Sequence, residues 1–591
     1  MSTNAQPEPD NLSKKRHSLA HLLASSVLEM YPNTQLGIGP VIDNGFYYDL
    51  ITPEPIKPED LLKLEKAMQK LAKANLGFER QEMSFDDARA FFEERKQPFK
   101  VELINDLEKA GEVNNVSLYK TGEFIDLCRG GHVENTSEID ADSFKLDKIA
   151  GAYWRGDEHN PMMTRIYGLA FNGSEELQAH LKMREEAEAR DHKKLGPELD
   201  LFVFSDLVGS GLPLWTPKGT LVRNLLDDFV WSLRKEFGYQ KVEIPHITKK
   251  DLYEKSGHWD KFKDELFRIT TREGHEFAMK PMNCPHHTQI YDRKRWSYRD
   301  LPQRYCNTTV CYRDEQSGEL SGLSRVRAFA QDDAHVFTRM SDAKQELLNV
   351  WTIIERFYKT FGFDLKVRLS LRDPNEPDKY LGDPAKWDEA QALLTEIAQE
   401  KNIETLDGVG EAAFYGPKLD FMANDSLGRQ WQVATIQIDF NQPERFDLFC
   451  INEQGEQERI VMVHAAIMGS IERFMSIFIE HTAGQFPVWL SPVQAMIVPV
   501  SEKQNDFAET VAKTLREQIP DLRIEVDLRS ESMGKRIRES AKTKVPYILV
   551  VGDKEIESNS VAVRGRNDED LGTISLEDFA TKIKTEIESK S

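Results

Sequence analysis

The stretch AMKPMNCPHHTQIY (278–291) sets one cysteine, Cys284, between a proline-bounded turn and two histidines. Such a sulfur can serve as a nucleophile, half of a disulfide, an apolar packing group or a metal ligand. The 591 residues hold only five cysteines, an odd number and widely scattered, which argues against a disulfide framework and for a reducing cytosol. One cysteine cannot hold zinc alone, and two of the 14 histidines have suggestive settings. His335 lies in RAFAQDDAHVF, where strand alternation gathers polar side chains on one face. His464 lies in IVMVHAAIMGSIERF, at a passage from strand to helix. One cysteine and two histidines make a three-ligand zinc set with a fourth position open. The three lie far apart in sequence, so by spacing alone a packing cysteine and two structural histidines remain the alternative.

A second group sits near the N-terminus. HSLAH places His17 and His21 at i and i+4 on one helix face, and DLCRGGH adds Cys128 and His132. The metalloprotease pattern H-E-x-x-H needs glutamate where Ser18 stands, which disfavours a peptidase. A metal site and a metal-free polar cleft are both open on residue types alone.

These groups need elements to position them. A chain of this length predicts about three or four domains. With 40% hydrophobic and 30% charged residues it reads as globular. No apolar run approaches the ~20 residues of a membrane span, and the polar start MSTNAQPEPDNLSKK lacks the apolar core of a signal peptide. A net charge of -22 argues against nucleic-acid binding by bulk charge but allows local basic patches. The α/β region 1–173 precedes a charged segment, 174–197, expected to form one exposed linking helix ending at Gly196-Pro197. A mixed region, 198–490, follows, and prolines 487 and 492 mark its end. Residues 491–591 alternate strand and helix, which predicts a small α/β domain with a mostly parallel sheet.

TTVCYRDEQSGELSGLSRVRAFAQDDAH resembles the motif 2 hairpin of class II aminoacyl-tRNA synthetases, with Arg313 and Glu315 in its core. GSIERF resembles motif 3, ending on Arg473, and GTLVRNLLDDFVWSLRKEFGYQKVEIPHI resembles motif 1, a long helix and a strand ending at Pro245. With MKPMNCP, YGPKLDF and QDDAH, the chain is similar to the threonyl-tRNA synthetases from about residue 12 onward. The resemblance implies an N-terminal editing domain, an antiparallel-sheet catalytic core and a C-terminal anticodon-binding domain.

It also implies activation of L-threonine by ATP with Mg²⁺, then transfer to tRNA(Thr) in a cytoplasmic homodimer built through motif 1. The implied nucleotide contacts are Arg313, Glu315, Arg325, Gln437, Ser470 and Arg473, with Arg313 and Arg473 countering charge at the phosphates. One zinc per subunit is implied on Cys284, His335 and His464. Met282, Gln331, Asp333, Tyr415 and Lys418 would line the amino-acid pocket, and His258 in SGHWDKF would assist transfer. Threonine and valine are nearly isosteric, and a site that engages the hydroxyl rejects the analogue lacking it by roughly 10⁴–10⁵. Serine lacks only a methyl group, worth about 1–3 kcal/mol, so hydrolytic editing is expected. By resemblance His17, His21, Cys128 and His132, helped by Asp126, line that cleft without metal. Glu557 and Arg566 match positions expected to read anticodon bases.

The chain departs from the family pattern at several points. A small ubiquitin-like domain that often precedes the editing helix is not expected here. CPHH replaces the usual CPGH, so His286 either relaxes a turn or adds a contact near the metal, and CRGGH replaces CRGPH. A prolyl-charging relative is disfavoured, because proline has no hydroxyl for zinc to read. A non-catalytic RNA-binding paralogue is disfavoured because Arg313, Glu315 and Arg473 are intact.

Overall fold

The computed structural model describes residues 10–111, 113–425 and 428–590. Described residues up to Glu185 form one compact unit, and those from Glu186 form another. The first unit opens with helix α1 (Asn11–Met30), started by Asp10, whose carboxylate accepts from the Ser13 amide at 2.7 Å. Leu19, Leu22, Leu23 and Val27 are buried at helical spacing and join the core of this unit with Phe46, Tyr48 and Leu50 of strand Gly45–Ile51. That strand belongs to an antiparallel five-stranded sheet. A smaller antiparallel sheet pairs Glu79–Met83, Val116–Thr121 and Phe124–Leu127. Its last hairpin carries Asp126 and delivers Cys128 just past the strand end.

The single linking helix expected over 174–197 is two helices. Ser174–Arg190 is largely exposed and buries only Leu177, whereas α2 (His192–Glu198) is well packed. Asp191 makes the break, since its side chain accepts from the Lys193 amide at 2.8 Å and starts the second helix. Gly196 and Pro197 lie inside α2 and do not end it. Glycine is needed at 196 for close packing, because a Cβ there would meet the Phe202 ring at 2.1 Å.

In the second unit, α3 (Pro217–Glu236) is capped by Thr216, with proline in its first turn and basic residues in its last. The motif 1 strand is only Gln240–Lys241 and leaves the sheet before Pro245. Helix α4 (Cys284–Tyr291) precedes the hairpin of β1 (Gln303–Tyr312) and β2 (Ala328–Thr338). Strands β3 (Lys418–Asn424), β4 (Gln430–Asp439) and β5 (Val461–Ala466) continue the sheet in the order β1-β2-β5-β4-β3, every one of these pairs antiparallel. Parallel pairings occur only at the two edges of this eight-stranded sheet. Helix α5 (Ile471–Thr482) follows β5 and is capped by Ser470, which accepts from the Arg473 amide at 3.2 Å.

The C-terminal segment has its own five-stranded sheet and apolar core. Strands Ile524–Val526, Ala495–Pro499 and Tyr547–Val551 are parallel, but Ser560–Arg564 and Asp570–Ser575 add antiparallel. The sheet is thus half parallel, not mostly so. The connection 552–559 is too short for a crossover and returns the chain as a neighbouring antiparallel strand.

Candidate active site

The antiparallel register sets one row of side chains across four strands. His335 on β2 faces His464 on β5, which faces Gln437 on β4, which faces Lys418 on β3. Cys284, first residue of α4, closes on this row: its sulfur and one nitrogen from each histidine all lie within 4.8 Å of one another. His335 Nε2 and His464 Nδ1 are 3.0 Å apart. His464 Nε2 is 2.9 Å from Asp439 Oδ2, so the carboxylate takes that proton and leaves an inward lone pair on Nδ1. His335 Nδ1 meets His287 Nδ1 at 2.8 Å. Burial pushes the Cys284 thiol well up and the His335 imidazole well down, with nearby His464 and Arg234 adding to the latter. A bound divalent cation would reverse the first preference, by favouring the thiolate, and reinforce the second, by favouring the neutral imidazole.

The amino-acid pocket expected from the sequence surrounds this cluster. Tyr415 stacks on His464 with ring centres 5.0 Å apart and donates to Gln437 Oε1 at 2.8 Å. Asp333 is held by Asn283 Nδ2 at 3.0 Å. Met282 packs in the apolar cluster around Cys284, and Lys418 pairs with Asp420 at 2.8 Å. Gln437, expected at the nucleotide, lies here in the histidine row. His258 is fully buried, with Nδ1 2.8 Å from Ser256 Oγ and Nε2 3.7 Å from Cys284 Sγ. Burial lowers its pKa to about 3, with His464, Arg313 and Arg445 adding to the shift.

Beside this row a cavity of about 270 Å³ is bounded by Arg313, Glu315, Arg325, Gln331, Ser470 and Arg473. Burial lowers the Arg473 pKa, and repulsion from Arg313 and Arg325 adds to it. Arg325 is answered by Glu315 at 2.8 Å and Glu319 at 3.0 Å, and Arg473 Nε donates to Ser324 O at 3.2 Å. Arg313 Nε is buried with no hydrogen-bond partner among the described residues. Three converging guanidiniums, of which Arg313 and Arg473 face no carboxylate within ion-pair distance among the described residues, make a cradle for a polyanion. The supports are buried and charged: Asp332 takes the Ile467 and Met468 amides at 2.9 Å and Arg234 at 2.5 Å, and Glu472 takes the Ala330 amide at 2.8 Å.

In the first unit His17, His21, Cys128 and His132 also converge within 4.8 Å. Cys128 Sγ is 3.2 Å from His132 Nε2 and 3.5 Å from His17 Nε2. Asp126 does not enter this cluster. It is buried against Lys100 Nζ at 2.5 Å and accepts from the Tyr48 hydroxyl.

Family models match three segments: the tRNA synthetase class II core domain (G, H, P, S and T) over 267–482, the anticodon binding domain over 494–586, and the threonyl and alanyl tRNA synthetase second additional domain over 116–167. The threonine–tRNA ligase of Acetivibrio thermocellus is 47% identical over 576 residues, covering 97% of this chain and 88% of that one. That of Gloeobacter violaceus is 47% identical over 582 residues, covering 97% and 92%. The chain belongs to the threonine–tRNA ligase family. The solved RNA binding domain of threonyl-tRNA synthetase from Cryptosporidium parvum superposes with a TM-score of 0.63 at 35% identity, covering 67% of this chain and 98% of that one.

Against the family pattern, His286 is helical and buried, lies outside the cluster, and its ring makes no hydrogen bond among the described residues. Its helical backbone has no need of glycine. At 131 the substitution does reshape the chain, since Gly131 takes φ +87°, which a proline cannot adopt. Four residues of this threonine–tRNA ligase family member escaped sequence reasoning: His287, Asp439, Lys100 and Tyr48. Cys284 and His287 at i and i+3 on one helix was the available signal for the first; the others carry none in sequence. At the C-terminal end Glu557 is exposed, while Arg566 turns its Nε and Nη2 onto the carbonyls of Lys544 (3.1 Å) and Phe486 (2.5 Å).

Proposed function

We propose that this chain activates L-threonine with ATP, transfers it to tRNA(Thr) and hydrolyses mischarged seryl-tRNA(Thr). The observation that carries the reading is the convergence of Cys284, His335 and His464 on one cross-strand row beside an arginine-lined cavity. The donor set suits zinc: one sulfur, two imidazoles, an inward lone pair imposed by Asp439, and a buried site. Cys284, His335 and His464 would hold the zinc, and it would supply a Lewis acid for the amino group and hydroxyl of threonine. Asp333, oriented by Asn283, accepts from the substrate hydroxyl, and Gln331, Met282, Tyr415 and Lys418 shape the rest of the pocket.

ATP, with Mg²⁺, takes the neighbouring cavity. Glu315 accepts from the adenine amino group, Arg313 holds the α-phosphate, and Arg473 with Arg325 and Ser470 holds the outer phosphates. A threonine carboxylate oxygen attacks the α-phosphorus as the bond to pyrophosphate breaks, and the arginines stabilise the charge that builds there. His258 is the candidate helper for transfer to the tRNA hydroxyl; burial keeps its imidazole neutral at pH 7 and also makes it a weak base.

Serine editing falls to the first unit. His17, His21, Cys128 and His132 line the cleft that orients water at the ester, with His132 Nε2 held by the Cys128 thiol, while Lys100 and Tyr48 fix Asp126. Glu557 and Arg566 face anticodon bases, with base contact by Arg566 falling to Nη1. The exposed apolar run Val203, Phe204, Leu207, Val208 and Leu214 before α3 fits a homodimer face. All five cysteines are unpaired, as suits the cytosol. ATP–pyrophosphate exchange tests the activation step. Threonine should exchange strongly, serine weakly, and valine and proline hardly at all. Equal exchange with valine would reject the hydroxyl-reading site.

A further inference from the structure

Helix α2 begins with a buried histidine that no step above uses. His192 Nδ1 lies 2.6 Å from Glu480 Oε1 on α5, and its Nε2 accepts from the Leu323 amide at 3.0 Å. A carboxylate only accepts and an amide N–H only donates, so the pair of contacts fixes the Nδ1–H tautomer. Glu480 also takes the His192 amide at 3.2 Å and the Arg429 guanidinium. Asp191, His192 and Glu480 bring metal-type donor atoms within 4.8 Å of one another. Both imidazole nitrogens are committed, however, and Asp191 caps α2, so this is no cation site.

The consequence is positional. Leu323 belongs to the loop 313–327 between β1 and β2. Gly322 takes φ +51°, and a Cβ there would stand 2.2 Å from His192 Nε2, so the loop is shaped to approach this imidazole. The next residue, Ser324, accepts from Arg473 Nε at 3.2 Å, and Arg325 then pairs with Glu315 at 2.8 Å. Ser324, Arg325, Glu315 and Arg473 all bound the cavity.

We propose that His192 is a positioning residue for the nucleotide: through the Leu323 amide it holds the 313–327 loop at the depth where Ser324, Arg325 and Arg473 meet ATP. The inference rests on the ATP assignment made above. Two variants separate the two bonds of the ring. H192N keeps an amide where Nδ1 was, still reaching Glu480 but not Leu323. H192Q carries its oxygen out to the Nε2 position and still accepts from Leu323.

Calorimetric ATP binding and steady-state exchange provide the readouts. H192N should weaken ATP binding and raise the ATP KM about three- to tenfold, the worth of one such bond, while the threonine KM and kcat hold. H192Q should stay nearer wild type. G322A, which drives a methyl group into the imidazole, should repeat the H192N signature and serves if H192N fails to fold. Unchanged ATP affinity in H192N or G322A, equal loss in H192Q, or a threonine KM rising in step overturns the proposal. A wild-type chain that binds no ATP overturns the nucleotide assignment instead.

Discussion

Asp439→Asn is the sharpest probe of the Cys284–His335–His464 centre, because the variant exchanges one oxygen for an amide nitrogen and keeps the shape. Asp439 Oδ1 accepts the Asn441 and Gln442 amides at 2.8 and 2.9 Å, while Oδ2 faces His464 Nε2 at 2.9 Å. In the variant the two backbone donors hold the amide oxygen at the Oδ1 position. The amide nitrogen must then face His464 Nε2, a donor against a donor. The imidazole responds by moving its proton to Nδ1, which removes the lone pair aimed at the cluster. Reversing the side chain to rescue the tautomer would strand two buried backbone donors, each costing about 1–3 kcal/mol. Zinc affinity should therefore fall about 100-fold, equivalent to about 2.7 kcal/mol, at the upper end for loss of an outer-shell partner. Asp439→Ala leaves the tautomer free to choose and should lose less. Competition for zinc against a chromogenic chelator, on samples with matched circular dichroism, measures both. Wild-type zinc affinity in Asp439→Asn, or a larger loss in Asp439→Ala, would refute the tautomer argument.

Three further outcomes follow from other parts of the molecule. Arg473→Lys should cut kcat/KM for ATP about 10- to 100-fold, the worth of a charge-assisted bond, without a matching change in threonine affinity by calorimetry. Lys100→Met leaves the buried Asp126 carboxylate without its cation and should destabilise the first unit by about 3–5 kcal/mol. Adding Asp126→Asn should recover part of that loss in thermal melts, and no recovery would reject the pairing. Phe204→Asp with Leu207→Asp should shift a dimer to monomer in sedimentation, whereas an unchanged sedimentation coefficient would move the interface elsewhere.

Local signals carried much of this architecture. The strand–helix alternation of the C-terminal segment follows from periods of two and about four residues, whereas the β1–β2 hairpin and helix α3 were expected from the resemblance to motifs 2 and 1. What periodicity cannot supply is register. His335, His464, Gln437 and Lys418 share a row only because four strands pair with particular offsets, so Gln437 was expected at the nucleotide and stands by the histidines. Asp439 is invisible for the same reason: it becomes an imidazole partner only once β4 and β5 are aligned. Lys100 reads in sequence as one more solvated cation on a charged helix, and only folding buries it against Asp126. Gly196-Pro197 was expected to end the linker, yet the stronger local term is the Asp191 side chain, which starts a new helix five residues earlier.

The two Cys–His clusters have similar ligands, and hydrogen positions separate them. In the first unit Ser18 donates its one proton to Lys14 O at 2.9 Å, so it accepts from His132 Nδ1 at 3.2 Å. His132 Nε2 then holds the lone pair that takes the Cys128 S–H at 3.2 Å, and burial keeps that thiol protonated by pushing its pKa up to about 12. Among the described residues no carboxylate hydrogen-bonds these imidazoles, and Asp126 is taken by Lys100 and Tyr48. These bonds occupy both nitrogens of His132 without a cation, while His21 Nδ1 is buried with no hydrogen-bond partner among the described residues. In the core, Asp439 strips one proton direction from His464 and aims a lone pair at His335 and Cys284. Elemental analysis should therefore find one zinc per chain. Cys128→Ala should keep it and Cys284→Ala should lose it. Two zinc ions per chain, or retention in Cys284→Ala, would break the argument that proton placement, and not ligand type, decides which cluster binds metal.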